Sequence, residues 1–339
     1  MTPHKCADNT LELLASPLAD LVDRLGSRTR AVALRKWLYA ARPVPPALPE
    51  CVPVVARSAW IRLREHASLP AWRLVDRRQG ADGTVKYAVD FSGATVETVL
   101  IPGHRRSTVC VSSQAGCARR CAFCATGTLG FRRQLTAAEI LVQYLVASAE
   151  SPPDQPARNV VFMGMGEPMD NLDAVLQAVD RLTENPVPAL AEAHVTVSTS
   201  GVLPGLKRFL AEGRGQLAVT LSATSDSTRE KLIPHNRHWP IADLLAALRQ
   251  DPRAGPGRHH LIAYVLWEGV NDSDEDAHRL GQLLTALPVH VNLIPHNRVP
   301  SSALQAPPAP RVERFHAILC EHGLRCIVRR PRGPEIAAA

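Results

Sequence analysis

The sequence is poor in long apolar runs, in cysteine and in lysine, and each shortage excludes something. No apolar stretch approaches the roughly 18 residues that a membrane-spanning helix needs. The opening residues, Met1-Thr-Pro-His-Lys-Cys-Ala-Asp8, lack the apolar core of a secretory signal. The chain is therefore expected in the cytoplasm, with no membrane partner. Eight cysteines in 339 residues are too sparse to staple a chain of this size. In a reducing compartment they read as metal or redox ligands rather than as a disulfide framework.

Only five of the 39 cationic residues are lysine (5, 36, 86, 207 and 231), so the positive charge rests on arginine. The net charge is +7, against 32 Asp and Glu. Guanidinium groups fork onto two phosphate oxygens, which suits a nucleic-acid partner. An Ala-, Arg- and Pro-rich composition also follows from a GC-rich genome, so charge alone is weak support for that partner. At 45% hydrophobic and 21% charged residues, the chain has the composition to bury a large core.

Two regions read differently. Residues 1–95 carry short helical patterns. Ser16-Pro17 has the character of an N-cap followed by a first-turn proline, and Leu18, Leu21, Val22 and Leu25 then fall on one face, with Gly26 to end the helix. Further helices are expected at 30–41 and 56–66, separated by a Pro-rich break. Tyr87–Phe91 and Thr95–Ile101 alternate like a hairpin about Ser92-Gly-Ala94. From about residue 106 the pattern becomes strand, loop, helix, repeated. Strands are expected at 108–112, 159–163, 194–198, 217–221, 260–266, 290–294 and 326–329. Thr136 and Glu139 form a capping box for the helix after the first of these. Strands alternating with helices predict an α/β fold, a partial (β/α)6 barrel with a small helical N-terminal accessory domain. The boundary is drawn between residues 95 and 96. In such barrels chemistry sits at the C-terminal ends of the strands.

The richest segment is Gly116-Cys-Ala-Arg-Arg-Cys-Ala-Phe-Cys-Ala-Thr-Gly127, with a C-x3-C-x2-C spacing at Cys117, Cys121 and Cys124. Three thiolates so close can converge on one metal centre. A structural zinc site would want a fourth protein ligand, and an ordinary four-iron cluster four cysteines. No fourth Cys or His lies inside the run. The readings are a cluster with one iron left open, a zinc knuckle completed from a distance, or core cysteines. One strand later, Phe162-Met-Gly-Met-Gly-Glu-Pro168 pairs two glycines, which admit close backbone approach, with a carboxylate able to take an amine.

The three-cysteine spacing resembles that of radical S-adenosylmethionine (AdoMet) enzymes. The run Cys110-Val-Ser-Ser-Gln-Ala-Gly-Cys117 through Gly127 resembles the RlmN/Cfr family of radical-AdoMet RNA methyltransferases more closely. Met163–Pro168, Val195-Thr-Val-Ser-Thr-Ser-Gly201, Val291-Asn-Leu-Ile-Pro295 and Val328–Gly333 follow in that family's order, and Val96-Glu-Thr-Val99 resembles the segment upstream. The match spans about residues 85–336. It implies a [4Fe–4S] cluster on Cys117, Cys121 and Cys124, with Phe123 packed beside it. It implies AdoMet contacts at Gly166, Glu167, Ser198, Thr220, Leu221, Ser222 and Asn297. Thr220-Leu-Ser222 departs mildly from the Ser-Leu-His of many members. Glu97 corresponds to the proton acceptor and Cys110 to the resolving cysteine.

The implied reaction is methylation of carbon 2 of adenosine in 23S rRNA, with tRNA as a second substrate. The implied partners are structured RNA, engaged partly by the N-terminal module, and an electron donor such as flavodoxin or ferredoxin. The protein is expected to be a monomer. An adenine carbon is a poor nucleophile, so in the family a C-terminal cysteine first takes a methyl group, which radical chemistry then joins to the base. The adduct is resolved when Cys110 forms a disulfide with that cysteine. Here the given sequence reaches Ala339 one residue short of the position where the family places it. The alternatives are carbon 8 methylation of the Cfr type and a degenerate relative that binds AdoMet and RNA without methyl transfer. Cys320 and Cys326 are expected in the core rather than as substitutes. An arginine rim for RNA is expected beside the cysteine loop, at Arg105, Arg106, Arg119, Arg120, Arg132 and Arg133.

Overall fold

The computed structural model describes residues 10–40, 44–255, 259–297, 304–329 and 331–338. Its frame is a ten-stranded sheet whose spatial order is the chain order. The strands are β1 (Arg73–Gln79), β2 (Val85–Phe91), β3 (Ala94–Ile101), β4 (Ser107–Cys110), β5 (Ala157–Phe162), β6 (Val195–Thr199), β7 (Gln216–Thr220), β8 (His260–Leu266), β9 (Val289–Pro295) and β10 (Arg325–Val328). The first four pair antiparallel. From β4 onward every pairing is parallel, through β10. β4 is thus the strand at which the sheet changes character, antiparallel to β3 on one side and parallel to β5 on the other.

The connections follow from local chemistry. The β2–β3 hairpin turns at Ser92-Gly93, both with positive φ, as a tight two-residue hairpin turn demands. The parallel strands require crossovers, and each is a helix packed on the outer face. These are α4 (Ala137–Ser148), α5 (Leu172–Thr183), α6 (Leu203–Glu212), α7 (Asp226–Leu232) with α8 (Ile241–Arg249), α9 (Asp274–Leu284) and α10 (Ala309–Glu321), taking α1 to α3 as the N-terminal helices below. Thr136 and Glu139 form the expected capping box at the start of α4. Buried on that helix, Gln143 accepts from the Ser112 N–H at 2.8 Å and donates to the Ser112 carbonyl at 3.0 Å. It also accepts from Thr98 Oγ1 at 2.8 Å. One amide therefore ties β3 to the exit of β4, and the start of the cysteine loop is fixed from behind.

Side-chain alternation sorts the sheet into two faces. Val160, Phe162, Val195, Val197, Leu217, Val219, Ile262, Tyr264, Val291 and Leu293 are buried, while their neighbours in β5 to β9 are mostly only partly covered. Those neighbours, among them Ser198, Thr220, Ala263, Val265, Asn292 and Ile294, line a cavity at the C-terminal strand ends.

Of the N-terminal helices, α1 (Leu18–Leu25) and α2 (Arg28–Ala40) are tied to the end of α5, and α3 (Arg57–Arg64) packs on α1. Arg35, fully buried, binds Glu184 Oε2 at 2.6 Å and also the Ser16 carbonyl. Glu184 Oε1 in turn accepts from Leu18 N–H at 3.1 Å. Gly26 ends α1 in the left-handed conformation as expected. Ser16 does not cap the helix: its hydroxyl bonds back to the Glu12 carbonyl, and Pro17 holds the N-cap position. The boundary drawn at 95/96 falls at the start of β3, where pairing between β2 and β3 continues across it. Cys326 packs against the core, but Cys320 is exposed on the outer side of α10.

Candidate active site

The cysteine loop leaves the sheet after β4 and is pinned at both ends. Cys117 N–H donates to Gly130 O at 3.0 Å, and Ala122 N–H to Leu232 O at 2.9 Å. The Phe123 ring lies 5.1 Å from that of Trp267, tilted by 38°, and with Cys121 it packs on Leu232, Ile233 and Trp267. Cys117, Cys121 and Cys124 then line one cavity of about 230 Å³ together with Gly166, Glu167, Ser198, Thr220, Asn292 and Arg329. Burial pushes the Cys117 thiol up to about 11 and the Cys121 thiol up to about 12, and the neighbouring thiols and Glu167 push the same way. Such thiols stay protonated at neutral pH unless a metal supplies the missing positive charge.

The Gly-Glu turn forms the opposite wall. Gly166 has φ +100°, and a Cβ there would meet Gln114 Cβ at 2.6 Å, so only glycine fits. Glu167, 3% exposed, has its pKa raised by burial, against hydrogen bonds from Ser200, Met169 and Thr199 that favour the charged form. Its Oε1 accepts from Met169 N–H at 3.0 Å, and its Oε2 from Ser200 N–H at 2.8 Å and Ser200 Oγ at 2.6 Å. The carboxylate also lines the cavity, where it can face an incoming amine.

Behind this wall lies a buried cation. Arg229, fully buried, donates to the carbonyls of Ser200, Thr220 and Leu221 and to Asn236 Oδ1, at 2.7 to 3.0 Å. It gathers the exits of β6 and β7, and burial lowers its pKa only to about 10, so it stays charged.

The expected residues are not all brought together. Ser198 and Thr220 line the cavity, and the Ser198 hydroxyl donates to Phe162 O at 2.7 Å. Leu221 is in the core and the Ser222 hydroxyl accepts from Val265 N–H, so both could reach a ligand only through backbone. Asn297 lies past the end of β9 and is not among the lining residues; Asn292, within that strand, is. Asn292, Ser200 and Arg229 escaped sequence reading. The inward phase of β9's alternation pointed to Asn292, and nothing local pointed to Arg229.

Glu97 and Cys110 stand on the concave face further along the sheet. Val99 pairs with Cys110, which places Glu97 diagonally across from the thiol. Burial pushes Cys110 up to about 12, with Arg329 opposing and Glu97 reinforcing that shift. The seven described cysteines are all free, so the disulfide expected of Cys110 is not formed.

The arginine rim is smaller than expected. Arg119 donates through Nε to Asp170 at 2.6 Å and lies over the Trp239 ring at 5.5 Å. Arg133 binds Glu139 and the Phe91 carbonyl. Arg105 and Arg106 are at the opposite end of the barrel, lining a separate cavity of about 340 Å³ with Arg158 and His194 at the starts of β4, β5 and β6. Arg120 and Arg132 remain exposed beside the loop.

Residues 111–281 match the Radical SAM superfamily. The chain is 40% identical to a dual-specificity RNA methyltransferase RlmN of Anaeromyxobacter dehalogenans, over 98% of this chain and 91% of the relative. A Caulobacter vibrioides protein of the same description is 42% identical, over 84% and 72%. The crystal structure of a radical SAM methyltransferase from Sphaerobacter thermophilus superposes with a TM-score of 0.89, at 38% identity, covering 97% of this chain and 98% of that one. The chain belongs to the RlmN family of radical-SAM RNA methyltransferases.

The family uses a [4Fe–4S] cluster and AdoMet, and the donor set suits both. Among the described residues, no three thiol, imidazole or carboxylate groups stand close enough to share a single metal ion. A four-iron cluster would take one thiolate on each of three irons, so its ligands stand farther apart than those of a single ion. Three thiols around one opening, with burial raising the pKa of Cys117 and Cys121 and the buried Arg229 behind Cys121, meet that requirement.

Proposed function

We propose that this RlmN-family enzyme methylates carbon 2 of adenosine in 23S rRNA, with tRNA as a second substrate. The observation that carries the reading is the placement of Glu97 and Cys110 on the same concave face that ends in the three-thiol cavity. The bound cluster and AdoMet supply the electron and the radical that open the reaction. The chain's own residues do the rest. Cys117, Cys121 and Cys124 hold the cluster, with Phe123 and Trp267 excluding water from its flank. Gly166, Glu167, Ser198 and Thr220, with backbone at Leu221 and Ser222, hold AdoMet; Asn297 belongs to this set only through a rearrangement after β9, and Asn292 is the better-placed amide. Glu97 accepts the proton from the base carbon. Cys110, once deprotonated, would attack the cysteine sulfur that links enzyme to base; that sulfur's bond to carbon breaks, the electron pair leaves with the methylated base, and the two sulfurs remain as the resolving disulfide. The enzyme works in the cytoplasm as a monomer, the N-terminal helices contribute to RNA binding, and flavodoxin or ferredoxin delivers electrons.

Mass mapping of rRNA and tRNA from a strain lacking the gene tests the reading. Loss of 2-methyladenosine, restored by the gene, is expected. Loss of 8-methyladenosine instead, or of no modification, would overturn it. Anaerobic reconstitution should give about four irons per chain; stoichiometric zinc without iron would contradict the cluster assignment.

A further inference from the structure

The segment that follows β10 lies across the β1–β2 turn and is held there by several contacts. Glu335 Oε1 accepts from the Ala81 N–H at 2.6 Å. Asp82 Oδ2 accepts from the Gly333 N–H at 3.2 Å and faces the Arg332 guanidinium at 4.0 Å. Lys86 Nζ donates to the Ala337 carbonyl at 3.0 Å. Gly80 leaves room for this docking, since a Cβ there would meet Glu335 Oε1 at 2.6 Å and Gly333 Cα at 3.3 Å.

The Lys86 contact reaches further. The same Nζ lies 3.0 Å from Glu97 Oε1, and the Lys86 side chain is only 13% exposed, against 50% for Glu97. Lys86 pairs with Val99, and Val99 with Cys110. Lys86, Val99 and Cys110 therefore form one row across β2, β3 and β4, with Glu97 beside it. A largely buried ammonium needs acceptors to offset its lost hydration. Among the described residues it has a tail carbonyl and the carboxylate assigned above to proton transfer.

We propose that the β1–β2 turn and Lys86 form a clamp that positions residues 331–338 beside the Glu97–Cys110 row, with Lys86 a positioning residue that links tail docking to the orientation of Glu97 during RNA methylation. The link to catalysis rests on the assignment of Glu97 as proton acceptor; the docking of the tail does not.

The test uses the full-length, cluster-loaded enzyme and four variants: Gly80→Ala, Glu335→Ala, Lys86→Met and Lys86→Arg. Hydrogen exchange across 331–338 should accelerate about tenfold or more in the first three, because each removes docking contacts of an exposed segment. Reductive cleavage of AdoMet without RNA should be unchanged, as none of these residues lines the AdoMet cavity. With an adenosine-containing rRNA hairpin as substrate, Lys86→Met should lower kcat about tenfold while KM stays within about twofold, and Lys86→Arg should recover most of the loss. Unchanged exchange in all variants overturns the clamp. A freed tail with wild-type kcat overturns its link to Glu97. A wild-type enzyme that does not methylate the hairpin, yet whose tail is freed by Gly80→Ala, refutes the proposed function and leaves the clamp standing.

Discussion

The two halves of the ten-stranded sheet carry their chemistry in different ways. In the parallel half, β4 to β10, the site residues sit mostly in loops just past the strand ends: the three cysteines, the Gly-Glu turn and Ser200. Helices cover the outer face, and a buried polar net of Glu167, Ser200, His235 and Arg229 braces the loops. In the antiparallel half, β1 to β4, the residues proposed for the reaction sit on the strands themselves: Lys86, Glu97 and Cys110. The outermost strand β1 is exposed along its whole length. Loops past parallel strands can be shaped freely around a cofactor without disturbing the ladder. Strand positions cannot, because backbone pairing on both sides fixes where each side chain points. The architecture thus separates a moulded loop cavity from a rigid strand row, which the proposed function turns toward the substrate.

The sharpest way to break that division is Cys121→Ala. Two remaining thiols cannot hold the cluster, so iron after reconstitution and 5′-deoxyadenosine formation should both fall to background. Retained iron would mean that the loop is not the cofactor half's anchor. Glu97→Gln should do the reverse. Iron and AdoMet cleavage should be kept, while methylated RNA falls about a hundredfold, the scale of a lost general base. Parallel loss of iron would erase the distinction between the halves.

A smaller effect comes from His235 in the polar net. Burial lowers its pKa from 6.5 to about 4, helped by Arg119 and Arg229 and opposed by its hydrogen bond to the Ser200 carbonyl. The unfolded chain takes up that proton near 6.5 and the folded chain only near 4, so between those values the unfolded state binds more protons. Stability contributed by neutral His235 should therefore drain away as pH falls from about 6.5 to 4, by at most about 3 kcal/mol. Urea midpoints over that window should fall in the wild type and flatten in His235→Gln; matching slopes would refute the assignment. The smallest effect belongs to β1. Arg77 and Glu150 pair at 2.7 Å but are both well exposed, so Arg77→Ala should cost less than about 1 kcal/mol by urea denaturation. A larger loss would show β1 to be a structural wall of the barrel.

The same division explains what could be read in advance. Loop chemistry announces itself by residue type and spacing, so the cysteine run, the Gly-Glu turn and the Thr136–Glu139 capping box were legible. The parallel strands were legible too, because β-branched and apolar runs bounded by turn residues leave few alternatives; His260–Leu266 was placed to the residue. Strand β1, Arg-Leu-Val-Asp-Arg-Arg-Gln, was not, since a strand exposed on both faces shows no alternation. Arg229 was missed because three of its four partners are backbone carbonyls of residues up to 29 positions away, which no local pattern marks. Arg105 and Arg106 were misplaced for a related reason. Nearness in sequence to the loop suggested nearness in space, but β4 carries the chain from one end of the barrel to the other between them.

The position of β4 also governs how the protein can be cut. The superfamily match begins at residue 111, just after β4. A fragment trimmed to the match would strip β4 from β5 and leave a bare parallel edge, with unpaired N–H and C=O groups open to any other chain. Trimming at residue 96 would keep β3 but discard its partner β2. The shortest soluble catalytic fragment should therefore begin ahead of β1, whose charged, arginine-rich outer strand already closes the sheet against self-association.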